Sequence, residues 1–164
     1  MAGEGMKPVA SLLLILNLCM YIIVVSIGGW ALNYSINCGF FIGPNLALPA
    51  HFSPIYFPMG NEATGFFVLF ALIAGVVGAG ACLAGIDHLK SWNSESLPSA
   101  ASSGFIAWGL TLLAAGLACK EIHLKGRNTR LRTMEAFLII LAGTQLLYIL
   151  VIHAAASIRP RQRT

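Results

Sequence analysis

ATGFFVLFALIAGVVGAGACLAGI, residues 63–86, holds no charged side chain in 24 positions, and Asp87, His88 and Lys90 close the run. As a helix it rises about 36 Å at about 1.5 Å per residue, enough to cross a hydrocarbon core of about 30 Å with some tilt. Its small residues recur at helical spacing. Ala71, Gly75 and Ala79 form one row of every fourth residue, and Ala74, Gly78 and Cys82 form a second. Lipid supplies no hydrophobic drive between helices, so bundles depend on small residues that let backbones close in. Both rows therefore predict close helix contact.

The rest of the chain has the same character. Of its 164 residues 57% are apolar and 10% charged, and the mean hydropathy is +0.79, where soluble domains carry about a quarter charged residues. The class is a polytopic membrane protein in one domain, 1–164. The net charge of +4 sits at the ends and in one loop, which points to phospholipid headgroups and away from nucleic acid. The four cysteines form neither a disulfide framework nor a zinc pattern: Cys19 and Cys82 lie inside spans, Cys119 ends another, and they read as small packing residues. No metal or cofactor is expected.

Outward from the central run, residues 8–32 are uncharged and too long for a cleaved signal, so they read as a retained anchor helix. Asn17 within it should face the bundle and bond there, and Trp30 sits where an interfacial aromatic belongs. From Asn33 to Asn61 come four prolines, three glycines and no charge. This predicts a long apolar loop over the bundle, as a lid or a passive cap. After a short turn, the third span covers residues 99–119, with Ala107, Thr111, Ala115 and Cys119 on one stripe as a partner for the second helix. Glu121 and Lys125 are spaced i,i+4, so this helix should run on to about Lys125. Thr129 or Thr133 should cap the fourth helix, with Glu135 in its first turn. Residues 136–158 are the last span. The expected fold is an all-α, up-down bundle of four transmembrane helices.

Orientation is finely balanced. Lys7, Lys90, Arg159, Arg161 and Arg163 fall on one side, and Lys120, Lys125, Arg127, Arg130 and Arg132 on the other. The uncharged first loop should translocate easily, which favours cytoplasmic termini. Anionic lipid is the expected partner of Lys125, Arg127, Arg130 and Arg132, or of Arg159, Arg161 and Arg163. The small-residue faces also suit a homo-oligomer.

Several stretches carry a resemblance: Leu16-Asn17-Leu18-Cys19-Met20-Tyr21, Gly60-Asn61-Glu62-Ala63-Thr64, Leu83-Ala84-Gly85-Ile86-Asp87-His88, Gly116-Leu117-Ala118-Cys119-Lys120-Glu121-Ile122-His123, Arg130-Leu131-Arg132-Thr133-Met134-Glu135-Ala136-Phe137 and Thr144-Gln145-Leu146-Leu147-Tyr148. In order and content they resemble the plant AWPM-19-like family of abscisic-acid-induced plasma-membrane polypeptides. The resemblance implies a four-span plasma-membrane protein linked to dehydration, cold and seed maturation, with import of abscisic acid as a proposed activity. Cys38 to Met59 departs from the family pattern and stands as an insertion.

A carrier for an apolar carboxylic acid needs an apolar passage and a donor or cation for the carboxylate. Lys120 and His123, i,i+3 at the edge of the third span, suit capture of the anion. Gln145 and Tyr148, i,i+3 with Thr144 nearby on the fourth helix, suit passage of the neutral acid. The same residues also suit plain roles, as lipid-phosphate contacts and interhelical bridges. Asp87 and His88 end the second helix, where a carboxylate calls for a cation such as Lys90 or Arg159; they form a candidate gate or a solvated helix end. His153 reads as interfacial. The motifs of hydrolases, zinc proteases and nucleotide-binding enzymes are missing, so no catalysis is expected. The alternative to a carrier is a non-transporting protein that stabilises or senses the bilayer, or an oligomeric complex, under water stress.

Overall fold

The computed structural model describes residues 2–38, 62–91, 96–123 and 129–158. They form four helices: α1 (Ala2–Cys38), α2 (Glu62–Ser91), α3 (Ser96–Glu121) and α4 (Thr129–Ile158). Each holds a stretch long and apolar enough to cross a membrane. No strand occurs among the described residues. The expected first-loop lid, the insertion, Lys125, Arg127, Arg159, Arg161 and Arg163 lie outside the described residues.

The helices outrun the apolar runs that announced them. α1 continues past Leu32 to Cys38 because Asn33, Ser35 and Asn37 are polar without breaking a helix. The Ser35 hydroxyl donates back to the Leu32 carbonyl at 2.8 Å, a bond compatible with helical backbone. Pro8, near the start of α1, removes only one backbone donor. At 37 residues, α1 is about 55 Å long and must emerge from a core of about 30 Å.

Two expectations at helix ends are corrected. α3 does not reach Lys125; it ends at Glu121. The Ile122 amide still reaches the Ala118 carbonyl at 3.0 Å, but the His123 amide turns to Lys120 at 3.3 Å, the tighter i→i−3 closure of a terminating turn. Glu135 is not in the first turn of α4. The helix begins at Thr129, Thr133 bonds back to the Thr129 carbonyl at 3.1 Å from inside it, and Glu135 falls in the second turn, where its side chain is buried.

Packing follows a ring, with α1 on α2, α2 on α3, α3 on α4 and α4 back on α1. The register is antiparallel along each seam. On α2, Gly75 lies against Val24 and Val25, Gly78 against Tyr21 and Gly85 against Leu14, while Gly28 of α1 lies against Leu72. Thr64, at the start of α2, meets Glu121, at the end of α3. Gly104 of α3 lies against Tyr148 and Ile149, whereas the Trp108 indole donates to the Ala142 carbonyl at 2.9 Å. Asn17 of α1 meets Gln145, and Trp30 meets Arg130.

The inward face of α2 is built from both small-residue rows. Ala71, Ala74, Gly75, Gly78, Cys82 and Gly85 are buried, and Ala79 only partly. A strict four-residue step overshoots a full turn by about 40°, so each row walks off the face and the other takes its place. On α3 the same drift buries Ala107, Thr111, Ala115 and Ala118 but leaves Cys119 exposed.

The molecule is apolar outside and polar at selected points inside. Leu12 is 70% exposed and Ile106 62%, whereas Asn17 and Thr111 are fully buried and Gln145 is 1% exposed. In water this arrangement would leave many large apolar side chains solvated; in hydrocarbon it satisfies both the surface and the interior.

Candidate functional site

The buried polar side chains form layers along the bundle. Gln145 holds the first together. Its amide nitrogen donates to the Gly104 carbonyl of α3 at 3.4 Å, and its amide oxygen accepts from Asn17 Nδ2 of α1 at 2.8 Å. The orientations are mutually fixed: a carbonyl neighbour demands the nitrogen of Gln145, which leaves its oxygen for Asn17, which must answer with its own nitrogen. Asn17 Oδ1 is thereby left over, buried and without a hydrogen-bond partner among the described residues.

One turn along α4, Tyr148 is 2% exposed, and its hydroxyl likewise finds no hydrogen-bond partner among the described residues. It stands 2.7 Å from where a Cβ on Gly85 would be, so only glycine leaves room for it. An unanswered buried hydroxyl costs about 1–3 kcal/mol. The interior thus holds a spare acceptor on Asn17 and a spare donor on Tyr148.

The next layer is closed. Thr111 gives its proton to the Ala107 carbonyl at 2.8 Å, so Tyr21, at 2.8 Å, must donate to Thr111. The Tyr21 ring lies over Gly78, which lets one α1 side chain touch α2 and bond α3. Beyond it the core turns apolar, with Val24, Phe67, Ala71, Ala114, Ala118 and Leu138 buried. At the far end Thr64 donates to the buried Glu121 at 2.5 Å, and Glu121 Oε2 has no hydrogen-bond partner among the described residues.

The residues singled out from the sequence separate into two places. Gln145 and Tyr148 are in the core. Lys120 and His123 are exposed at the end of α3, with the His123 ring nitrogen 3.0 Å from the Cys119 carbonyl, so the fold does not bring them to Gln145. Thr144 turns aside to the Ile140 carbonyl at 3.0 Å. Asp87 is exposed and pairs with Lys90 at 3.3 Å; His88 is half-buried beside it. Trp30 carries the Arg130 guanidinium over its ring at 4.1 Å, and His153 is exposed.

Sequence reasoning placed Asn17 without its partner and missed the burial of Glu121 and Glu135. Asn17 was expected to bond in the bundle, but its partner lies across the core. Glu121 and Glu135 were read as helix-end charges. The available signal was that an acidic side chain at the edge of a span faces either water or the bundle, and the small residues one and two turns before Glu121, Ala118 and Ala114, mark the bundle side.

Four membrane-length helices packed around an apolar core with a few buried polar side chains define an integral membrane protein. The chain belongs to the AWPM-19-like family, whose model matches residues 15–155. It is 50% identical over 154 residues to the Membrane protein PM19L of Oryza sativa subsp. japonica, covering 93% of this chain and 81% of the rice protein. No solved structure matches it.

Proposed function

We propose that this protein works in the plant plasma membrane in the response to abscisic acid, dehydration and cold, and that it mediates import of abscisic acid. The family resemblance suggests the ligand. One observation carries the chemistry: a spare buried acceptor, Asn17 Oδ1, sits on the residue bonded to Gln145, and a spare buried donor, the Tyr148 hydroxyl, sits three residues along α4 from Gln145. A neutral carboxylic acid offers the complement, one O–H to give and one C=O to receive. The apolar stretch between Thr111 and Glu121 favours the same protonation state, because an ion there would lose its water with nothing to replace it.

In this mechanism Lys120 and His123 collect the anion on the outer face, with both termini cytoplasmic. The acid then passes protonated along the core, resting at Gln145 and Tyr148. Asp87 and His88 stand at the cytoplasmic end of α2 as the gate. Reconstitution into phosphatidylcholine liposomes with labelled abscisic acid tests it. Uptake above empty vesicles that falls severalfold or more in Gln145→Ala and Tyr148→Phe supports the carrier; uptake indifferent to the protein removes it.

A second reading is favoured by the interhelical bonds themselves, since Asn17–Gln145 and Tyr21–Thr111 already tie the helices together. In it the protein only stabilises the bilayer, or an oligomeric complex, under water stress. Protein-independent uptake selects this reading.

A further inference from the structure

Where the start of α1 meets the end of α2 there is a cavity of about 500 Å³. Leu14, Ile15, Ile86 and Leu89 wall it, and Lys7 and Lys90 line it from the two helices. Apolar walls with two ammonium groups suit one kind of occupant, an anion on an apolar body. The positive end of the α1 macrodipole lies on the same side as Lys7. Lys90 already pairs with Asp87 at 3.3 Å, but both side chains are about three-quarters exposed, at 75% and 78%. Such exposed pairs hold weakly, so Lys90 can be shared with a ligand.

The back of the cavity indicates how much of the occupant is apolar. Leu14 is both a wall of the cavity and a neighbour of Tyr148: a Cβ on Gly85 would stand 2.7 Å from Leu14 Cδ1 and 2.7 Å from the Tyr148 hydroxyl. Leu14 therefore lies both on the cavity and close to a buried hydroxyl that has no hydrogen-bond partner among the described residues. A volume of about 500 Å³ also falls within the roughly 300–1,000 Å³ range of pockets that enclose compact ligands.

We infer that this cavity is a binding station for the ionised form of a compact apolar carboxylic acid, its carboxylate held by Lys7 and Lys90 and its body against Leu14, Ile15, Ile86 and Leu89. The ligand class rests on the carrier reading; the station itself rests on the cavity. An acid arriving neutral at Tyr148 passes Leu14 and breaks its O–H bond at the mouth. The proton goes to water, and the carboxylate keeps the electron pair and is met by the two lysines.

Equilibrium binding of labelled abscisic acid to the full-length protein in phosphatidylcholine nanodiscs tests this, with phosphatidylglycerol as competitor in a parallel arm. Lys7→Gln with Lys90→Gln should weaken binding about tenfold or more, the scale of losing charge-assisted bonds. Lys7→Arg with Lys90→Arg should retain it. Ser11 also lines the cavity, and Ser11→Trp, which fills it, should abolish binding. No binding by the wild type, binding unchanged in the double glutamine variant, or displacement by phosphatidylglycerol at the levels of a preferred ligand would overturn the inference. Liposome uptake by the same variants separates the two claims. Uptake lost in Gln145→Ala but unaffected by Ser11→Trp leaves the carrier standing without the station. Lysine-dependent binding without wild-type uptake leaves the station without the carrier.

Discussion

Gln145 touches two other helices through the two ends of one amide, the Gly104 carbonyl on one side and Asn17 on the other. In lipid such bonds contribute about 0.6 kcal/mol on average and up to about 1.7, because a helix released in the membrane finds other partners. Asn17→Ala and Gln145→Ala should therefore destabilise the protein, with a coupling of about 0.5–1.5 kcal/mol in a double-mutant cycle followed by denaturant unfolding in detergent. Additive effects would show that the pair is not bonded. The α4 half of this site was legible in the sequence, because Gln145 and Tyr148 are close in the chain and spaced for one face. Asn17 was legible only as an inward polar residue; its partner lies 128 positions away, beyond the reach of helical periodicity. Glu121 was misjudged for a related reason. Its i,i+4 relation to Lys125 presumed a helix that in fact ends at Glu121, and its partner, Thr64, is on another helix.

Among the helices, α2 decides the spacing of its neighbours. A Cβ on Gly78 would stand 2.3–2.6 Å from the Tyr21 ring. That ring is held in place by its bond to Thr111, so it cannot simply step aside. Gly80, two residues on, has nothing within 4 Å. Gly78→Ala should lower stability by about 1–3 kcal/mol through overpacking. Gly80→Ala should be neutral or stabilising by up to about 1 kcal/mol through helix propensity. Thermal denaturation in one detergent compares them, and equal effects would mean that Gly78 is not at a helix seam. The sequence announced that small residues line the contact, but a four-residue row drifts around the helix. Which members of the two rows end inward depends on where α1 and α3 sit. Helix ends were less legible than helix cores, since the polar residues past Leu32 leave α1 intact while a tightened turn stops α3 short of Lys125.

For the molecule as a whole, the reading as a membrane bundle came from length and hydropathy and holds in the structure, with four apolar helices of spanning length. The candidate site is less legible at this scale, because its buried polar groups are scattered over α1, α3 and α4 and only the fold assembles them. Orientation has a direct check. With the termini cytoplasmic, a cysteine at position 7 or 90 should react with a membrane-impermeant maleimide only from the inside, and one at position 120 only from the outside; the reverse pattern would invert every step of the transport proposal.

Everything above depends on a lipid-facing surface wrapped around a close-packed interior that holds a few polar side chains, and a nitroxide scan in lipid bilayers reads that arrangement position by position. Labels at Leu12, Ile22, Ile73 and Ile106, all exposed, should show fast relaxation by oxygen dissolved in the hydrocarbon. Labels at Ala10, Ala74 and Ala107, all fully buried, should be shielded from it. Uniform oxygen exposure along the helices, or shielding at Leu12 and Ile106 with exposure at Ala74 and Ala107, would contradict the bundle and, with it, the interior site.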